Sequence, residues 1–179
     1  MFGRALFPTD FSAYSDAVLA CLPDLKTAGL CEVVLLSVIR PSDVLLPETL
    51  DHESLEFWRW SLNEKLNIAK MALEGKGLRT LTRIEYGNPA ERIVRVADEE
   101  RVDLMVLGAQ GVTAAQELLI GSTAYELIRR ATVPVLLEKF EVIRELGHVK
   151  CRQFCENIFQ RVLHHTDFSD YAEAAFQVV

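Results

Sequence analysis

The sequence lacks two glycine-rich motifs that are common in nucleotide-binding enzymes. It contains neither Gly-x-x-x-x-Gly-Lys-Ser/Thr nor Gly-x-Gly-x-x-Gly. The first absence excludes the P-loop mechanism with its phosphate-binding lysine, and the second removes the fingerprint of dinucleotide binding. Long apolar runs are also missing, as is a signal-peptide pattern at the N-terminus. We therefore expect no membrane segment and a cytoplasmic location.

Cysteine and positive charge are both scarce. Four cysteines among 179 residues are too few for the disulfide framework of a small secreted protein, so a reducing compartment fits better. The net charge of −7 argues against a nucleic-acid partner, which requires clustered lysine and arginine. Any phosphate-binding site in this chain is therefore expected to be local and built mainly from backbone groups.

Apolar segments of strand length alternate with segments of helical pattern from residue 4 to residue 138. The predicted strands are Arg4–Thr9, Glu32–Ile39, Leu78–Tyr86, Val102–Leu107 and Thr132–Leu137. The predicted helices run from Ser12 to about Lys26, from Asp51 to Gly75, from Pro89 to Glu100 and onward from Gly121, with an irregular stretch between Pro41 and Pro47. This alternation predicts an α/β fold with a parallel, doubly wound sheet. Ligands of such sheets bind beyond the carboxyl ends of the strands.

A segment near the C-terminus repeats the first strand and the start of the first helix. Residues 161–171 (Arg-Val-Leu-His-His-Thr-Asp-Phe-Ser-Asp-Tyr) match residues 4–14 (Arg-Ala-Leu-Phe-Pro-Thr-Asp-Phe-Ser-Ala-Tyr) at seven of eleven positions. The match predicts a tandem duplication: residues 1–140 form a first domain, residues 141–160 a linker with a helix around Val149 to Phe159, and residues 161–179 the truncated start of a second domain. We expect this fragment to pack onto the first domain, pair with another chain or stay poorly ordered, because it cannot bury its own apolar face.

Three glycines and a serine after the fourth predicted strand form the candidate binding site. Gly108 and Gly111 are followed, after nine further residues, by Gly121, Ser122 and Thr123. Glycines let the backbone approach an anion without a Cβ in the way. The helix that begins at Gly121 supplies free amides and the positive end of its dipole. The spacing predicts a phosphate cradle, and the alternative is an ordinary loop with a helix-capping serine.

The same motifs resemble those of the universal stress protein family. The resemblance covers about residues 2–138 and rests on Pro8-Thr9-Asp10-Phe11-Ser12, on the Gly-x-x-Gly-x9-Gly-Ser spacing and on Val133-Pro134-Val135. It implies a Rossmann-like fold with a five-stranded parallel sheet in the order 3-2-1-4-5. It also implies a homodimer through the fifth strand, Thr132–Leu137, or a pseudo-dimer with the second copy.

The resemblance further implies a site for an adenine nucleotide. Asp10 would hold the ribose or adenine side, and the backbone of Val38 would meet the adenine edge. Leu107 and Gly108 would flank the ribose. The residues assigned to the phosphates are Gly111, Gly121, Ser122 and Thr123. The remaining assigned residues, which directly precede Asp10, are Pro8 and Thr9.

Two departures from the family pattern concern the phosphates. Ala109 and Gln110 stand where the family usually has a small hydroxyl residue followed by histidine or arginine. The spacer Val112–Ile120 holds Glu117 and no lysine or arginine. Both departures weaken the support for a triphosphate, so ATP, ADP and AMP are all candidate ligands. Mg²⁺ would bind only through the phosphates of the ligand.

The other reactive or aromatic residues do not suggest a second site. His164 and His165 have no further ligand pair at metal-binding spacing, and Cys151 and Cys155 are predicted to be small buried hydrophobes. The aromatic residues of the second long helix are predicted to lie in the core or at a contact; they are Phe57, Trp58 and Trp60. No nucleophile, base and orienting group occur at a defensible spacing, so neither a catalytic residue nor a metal site is predicted.

Three functions remain open from the sequence. The first is a stress-response or signalling module whose bound nucleotide biases its shape or its partners. The second is an interaction or dimerisation module of the same fold that has lost nucleotide binding, as Ala109, Gln110 and the acidic spacer would allow. The third is a weak ATP-hydrolysing enzyme, which would need an additional substrate site that the sequence does not show.

Overall fold

A computed structural model describes residues 2–44, 52–109, 120–138, 140–145, 148–153, 163–164 and 166–177. The strands are β1 (Arg4–Pro8), β2 (Glu32–Ile39), β3 (Arg79–Tyr86), β4 (Leu104–Gly108), β5 (Val135–Glu138), β6 (Phe140–Glu145) and β7 (His148–Gln153). The α-helices are α1 (Ala13–Cys21), α2 (Pro41–Val44), α3 (His52–Glu74), α4 (Pro89–Glu99), α5 (Ser122–Arg130) and α6 (Asp170–Phe176), and a 3₁₀ helix (Leu22–Ala28) extends α1.

Five strands form one parallel sheet in the order β3-β2-β1-β4-β5. This confirms the predicted doubly wound fold and its strand order. β1 lies at the centre, with Leu6 paired with Val34 of β2 on one side and with Met105 of β4 on the other. The strand order reverses between β1 and β4, so the connections that follow these two strands run to opposite faces of the sheet, to α1 and to α5, and leave a crevice for a ligand.

Helices cover both faces of the sheet and create two apolar cores. On one face, Phe7 and Leu35 pack with Val18 of α1 and Leu66 of α3. On the other face, the core contains residues of β1, β2, α4 and α5; among them are Leu6, Leu36, Ile93 and Leu127. Successive β1 residues alternate between the two cores because side chains of a strand point to opposite faces. Each fully buried side chain of this kind stabilises the fold by about 1.5–3 kcal/mol.

Local signals in the sequence set the helix starts near the carboxyl ends of the strands. Ser12 caps α1, with its side chain accepting a hydrogen bond from the amide of Ser15. Asn88 caps α4 in the same way, and Pro89 occupies the first turn, where its missing N–H costs nothing. Pro23 lies in the first turn of the 3₁₀ helix, so α1 ends at Cys21, because a proline inside an α-helix removes a backbone hydrogen bond.

Three local predictions are wrong. The predicted irregular stretch begins with the short helix α2 instead. Residues 149–153 of the predicted linker helix lie in β7, which pairs antiparallel with β6. Cys151 therefore lies in a strand, and Cys155 lies outside the described residues. For Phe57 and Trp60 the core alternative is wrong: both are 63% exposed, because α3 packs on the sheet through its opposite face, which carries Leu66. A contact with a partner stays a prediction for these two side chains.

The C-terminal repeat has the same local geometry as the N-terminal segment. The amide of Phe168 donates to Thr166 Oγ1, the amide of Ser169 to Asp167 Oδ1 and the amide of Ala172 to Ser169 Oγ, as at the N-terminal Thr-Asp-Phe-Ser. Leu163, which corresponds to the fully buried Leu6, is 95% exposed, and Phe168 is 93% exposed. These two side chains therefore do not pack on the rest of the described chain. The division into a domain, a linker and a second domain stays a prediction.

Glu138, the last residue of β5, is a buried carboxyl group with an unusual environment. Only 7% of the residue is exposed, and its Oε1 has no hydrogen-bond partner among the described residues. Burial, and then the nearby charge of Asp24, raise the pKa of Glu138 above its ordinary 4.5. Burial and the charge of Glu138 in turn raise the pKa of the Cys21 thiol to about 11. The charged form of Glu138 is therefore disfavoured in the folded state.

We expect Glu138→Gln to stabilise the protein near pH 8 and to have little effect near pH 4. The folded chain holds the Glu138 proton more tightly than the unfolded chain, so the stability contributed by this group falls as the pH rises from about 4.5 through the raised folded value. Removing the buried charge should recover roughly 1 kcal/mol, the low end of the cost of an unpaired buried group. Urea denaturation at both pH values tests this, with the exposed Glu64→Gln as control; equal effects of Glu138→Gln at the two pH values would contradict it.

Candidate functional site

A cleft of about 350 Å³ lies at the carboxyl ends of β1, β2 and β4, where the strand order reverses. This volume is within the range of about 300–1,000 Å³ that is usual for small-molecule sites. The cleft is open between the helices of the two faces: Lys65 of α3 contributes from one side, and Pro89 of α4 and Ser122 of α5 from the other. Three helices, α1, α4 and α5, begin close to it.

The cleft brings together the residues that the sequence singled out. Nine of the ten predicted site residues line it: Pro8, Thr9, Asp10, Val38, Leu107, Gly108, Gly121, Ser122 and Thr123. The tenth, Gly111, lies outside the described residues. These residues come from the first strand, the second strand and the fourth strand with its loop, at positions between 8 and 123 of the chain, and the fold places them around one opening.

The Thr9–Ser12 segment forms a tight turn at the end of β1. Thr9 is buried, its amide donates to the carbonyl of Leu36 at 2.8 Å, and its Oγ1 accepts from Ser15 Oγ at 2.7 Å. Asp10 Oδ1 accepts from the amide of Ser12 at 3.0 Å. Phe11 has a left-handed backbone, with φ of 54°, which is uncommon for a residue with a side chain. The turn fixes the carboxylate of Asp10 at the rim of the cleft.

Ala109 closes the base of the glycine-containing loop. Its amide donates to the carbonyl of Glu138 at 2.8 Å, and its carbonyl accepts from the amide of Gly121 at 2.8 Å. The amide of Gly121 is therefore already used, which corrects the expectation that this residue offers a free N–H. Because the two ends of residues 109–121 are joined by this hydrogen bond, Gly108 and the start of α5 are held side by side.

The first turn of α5 provides the free donors of the cleft. The helix has Gly121 as its N-cap, with no side-chain cap, and the amides of Ser122, Thr123 and Ala124 have no hydrogen-bond acceptor in the described part of the chain. Amides in the first turn of a helix cannot bond within the helix. Together with the positive end of the helix dipole, they form a site that favours an anion.

The lining also includes residues that were not assigned to the site from the sequence, among them Arg40, Asp43, Trp58 and Lys65. Trp58, Leu62 and Lys65 recur at positions i, i+4 and i+7 of α3, a spacing that places them on one side of the helix. This spacing was the signal in the sequence that these three residues share one side of α3. It could not show which side of α3 would face the strand ends, because that depends on how the helix packs on the sheet.

The charged lining residues include one tight ion pair. Arg40 Nε donates to both carboxylate oxygens of Asp43 at 3.1 Å, and Arg40 Nη2 lies 2.9 Å from Oδ1. This pairing raises the pKa of Arg40. The Lys65 ammonium lies 5.5 Å from the centre of the Phe11 ring. Burial and the charge of Asp10 raise the pKa of Asp16, while the charge of Lys65 lowers it.

The described residues show neither a cluster of metal ligands nor a membrane-spanning helix. No group of three or more His, Cys, Asp or Glu side chains that could hold a metal ion occurs in the described ranges. The ring of His164 contacts the ring of Phe176 edge-on, with centroids 5.2 Å apart, and His165 lies outside those ranges. None of the helices that the structure describes combines the length and apolarity needed to cross a bilayer.

A parallel sheet in the order 3-2-1-4-5, with a cleft where the order reverses, defines a doubly wound α/β domain. The sequence model of the universal stress protein family matches residues 1–139. The chain therefore belongs to the universal stress protein family, as the sequence motifs indicated. Neither this match nor the fold assigns a ligand or a partner to the chain.

Relatives of known sequence or structure agree with this family. The chain is 33% identical over 156 residues to the universal stress protein MJ0577 of Methanocaldococcus jannaschii, covering 78% of this chain and 96% of that protein. It superposes on the solved structure of MJ0577 with a TM-score of 0.72 at 32% identity, covering 79% and 98% of the two chains. A universal stress protein from Archaeoglobus fulgidus gives a TM-score of 0.74 at 26% identity, covering 97% of this chain and 59% of that one.

Two more distant structures of the same fold were solved with nucleotides. One is a universal stress protein in complex with cAMP, with 20% identity, a TM-score of 0.58 and coverage of 77% and 97%. The other is a universal stress protein from Archaeoglobus fulgidus in complex with dAMP, with 20% identity, a TM-score of 0.53 and coverage of 76% and 97%. At this identity the two structures show a shared fold with the present chain and nothing further.

Proposed function

We propose that the cleft binds an adenine nucleotide and that the protein acts as a nucleotide-dependent stress-response or signalling module. One observation carries the proposal: nine residues selected from sequence motifs line a single cleft that ends at the free amides of α5. On the side away from α5 the lining includes apolar residues, among them Val38 of β2 and Leu62 and Trp58 of α3. An apolar end and an anion-binding end suit a ligand with a flat base and a phosphate.

The residue roles follow from the two ends of the cleft. The amides of Ser122 and Thr123, with their hydroxyl groups, would bind phosphate oxygens. The base would lie at the end of β2, with its edge toward the backbone of Val38. Asp10 lies between these ends on the central strand, where its carboxylate would accept a hydrogen bond from a ribose hydroxyl. The complexes with cAMP and dAMP described for two proteins of this fold support an adenine nucleotide as the ligand class.

The choice among ATP, ADP and AMP, and a role for Mg²⁺, are part of this proposal. Weak ATP hydrolysis remains an alternative. The described lining residues include neither histidine nor cysteine, so a general base would have to come from a carboxylate. A module of this fold without a bound nucleotide is the other alternative, because Ala109 uses its backbone groups to close the loop and offers no polar side chain.

Assembly is proposed on separate grounds. β5 lies at the edge of the described sheet, and an edge strand presents unpaired backbone groups to a partner. We propose a homodimer through this strand, or a pseudo-dimer with a second copy of the domain. The Archaeoglobus fulgidus protein that matches 97% of this chain over 59% of its own length supports the second arrangement.

A thermal-shift experiment tests the proposed ligand. At 100 times its dissociation constant, a ligand that binds only the folded state should stabilise it by about 2.7 kcal/mol. For a protein of this size the Tm should then rise by roughly 5–10 °C. We expect this rise with at least one of AMP, ADP and ATP at millimolar concentration, and no rise with ribose alone.

Phosphate release distinguishes the enzymatic alternative from simple binding. We expect the release of phosphate from ATP to equal that of a Gly121→Val variant, in which the cleft is blocked. An unchanged Tm with all three nucleotides would reject the proposed ligand and favour the interaction module. Release clearly above the variant would favour the hydrolase.

A further inference from the structure

The charge balance of the cleft limits how much negative charge a ligand can bring. The described lining residues contain two carboxylates, Asp10 and Asp43, and two cations, Arg40 and Lys65. Arg40 is held by three contacts of 2.9–3.1 Å to the carboxylate of Asp43, so its charge is largely balanced before any ligand arrives. Lys65 is the other cation of this set.

Lys65 is positioned to meet a ligand rather than to pair within the protein. Among the described residues it has no carboxylate within 4.0 Å, although the charge of Lys65 does reach Asp16 and lowers its pKa. Its ammonium lies over the ring of Phe11, 5.5 Å from the ring centre, and the left-handed turn at Phe11 places that ring beside Asp10. An aromatic ring attracts a cation without neutralising it.

The described lining of the cleft holds no further unpaired cation. Residues 108–121 contain no lysine or arginine, and they include the acidic Glu117. The arginines of α5 lie in its last turn, at the end away from the cleft; Arg129 stacks on Tyr125, and Arg130 pairs with Glu126 at 3.1 Å. The positive groups that the described lining offers to a phosphate are therefore Lys65, on the α3 side of the cleft, and the α5 dipole, which is worth about half an elementary charge.

We propose that the cleft selects a nucleoside monophosphate over a triphosphate, with Lys65 as the residue that determines this preference. A monophosphate carries about −1.5 to −2 charges near neutral pH, as a phosphorylated side chain does. Lys65 and the helix terminus offset part of this charge, less the charge of Asp10 at the rim of the cleft. Each further phosphate adds negative charge for which the described lining has no further cation. This inference rests on the proposed function, since it names the ligand class of the same site.

Calorimetric titration of the full chain with adenosine, AMP and ATP, in low salt without Mg²⁺, tests the inference. We expect AMP to bind about tenfold more tightly than ATP. Lys65→Gln should lower the affinity for AMP about tenfold and the affinity for adenosine less than about twofold, because a charge-assisted contact is lost only when a phosphate is present. Lys65→Arg should keep most of the affinity for AMP. The control is Lys70→Gln on the same helix, where Lys70 lies 3.8 Å from Glu74 and does not line the cleft.

The possible outcomes separate this inference from the proposal on which it rests. If ATP binds as tightly as AMP or more tightly, the preference is overturned while the nucleotide site stands. If Lys65→Gln lowers the affinities for adenosine and AMP equally, Lys65 shapes the cleft and does not act as a counter-charge. This result also overturns the inference. If none of the three ligands binds to the wild-type chain, the proposed function itself fails. The melting temperature of each variant without ligand shows that it is folded.

Discussion

Gly121→Val should lower the affinity for adenine nucleotides at least about 100-fold while the domain stays folded. Gly121 is the N-cap of α5, with φ of −58° and ψ of 149°, an extended conformation that a β-branched residue adopts without strain. Gly121 lines the cleft and directly precedes the residues with free amides in the first turn. An isopropyl group there would occupy the space of the phosphate and shield the amides, and losing several charge-assisted hydrogen bonds costs about 2–3 kcal/mol or more.

The measurement is a titration with AMP, supported by the Tm of the variant without ligand. Gly121→Ala should give an intermediate loss, because one methyl group fills less of the same space. Ala72→Val, which places the same side chain at an exposed position of α3 outside the cleft, should bind AMP like the wild type. Wild-type affinity in Gly121→Val would mean that the phosphate does not approach α5.

Leu127→Ala should lower the free energy of unfolding by about 2–5 kcal/mol, the range for removing most of a buried leucine. Leu127 is fully buried in the core shared by β1, β2, α4 and α5, and it also lines the cleft from below α5. The cavity left behind would loosen the helix whose first turn binds the proposed phosphate. We therefore expect weaker nucleotide binding in addition to lower stability.

Ile128→Ala is the matched control for this prediction, because Ile128 is the next residue of the same helix and is 46% exposed. Its change in stability, from urea denaturation, should be below about 1 kcal/mol, since partly exposed positions lose less transfer free energy and leave no cavity. Similar losses for the two variants would show that α5 is not anchored through Leu127.

The parts of the fold that depend on local pattern could be predicted from the sequence. β2 is a run of apolar and β-branched residues bounded by turns, and its predicted limits, Glu32–Ile39, are those observed. The cap at Asn88 with Pro89 fixed the start of α4 in the same way. The Gly108–Thr123 spacing and the Thr9-Asp10 motif also placed the site at the carboxyl ends of the strands, because parallel topology leaves few alternatives.

The errors have physical causes that single motifs do not reveal. In β7 the sequence His-Val-Lys-Cys-Arg-Gln alternates apolar and polar residues, which is typical of a strand, but so short an alternation does not by itself exclude the predicted helix. The charged lining of the cleft was missed because Lys65 comes from a helix far along the chain, and only tertiary packing turns it toward the strand ends. The sequence predicted a free amide at Gly121, because it does not show that the carbonyl of Ala109 accepts a hydrogen bond from this amide.

The central claim is that an anion binds at the first turn of α5, and the crystal structure of the chain with bound AMP tests it most directly. The account predicts phosphate oxygens about 2.7–3.2 Å from the amide nitrogens of Ser122 and Thr123, with the adenine against Val38 at the end of β2. A phosphate located elsewhere on the molecule, with these amides bonded to the protein's own carbonyls, would contradict it.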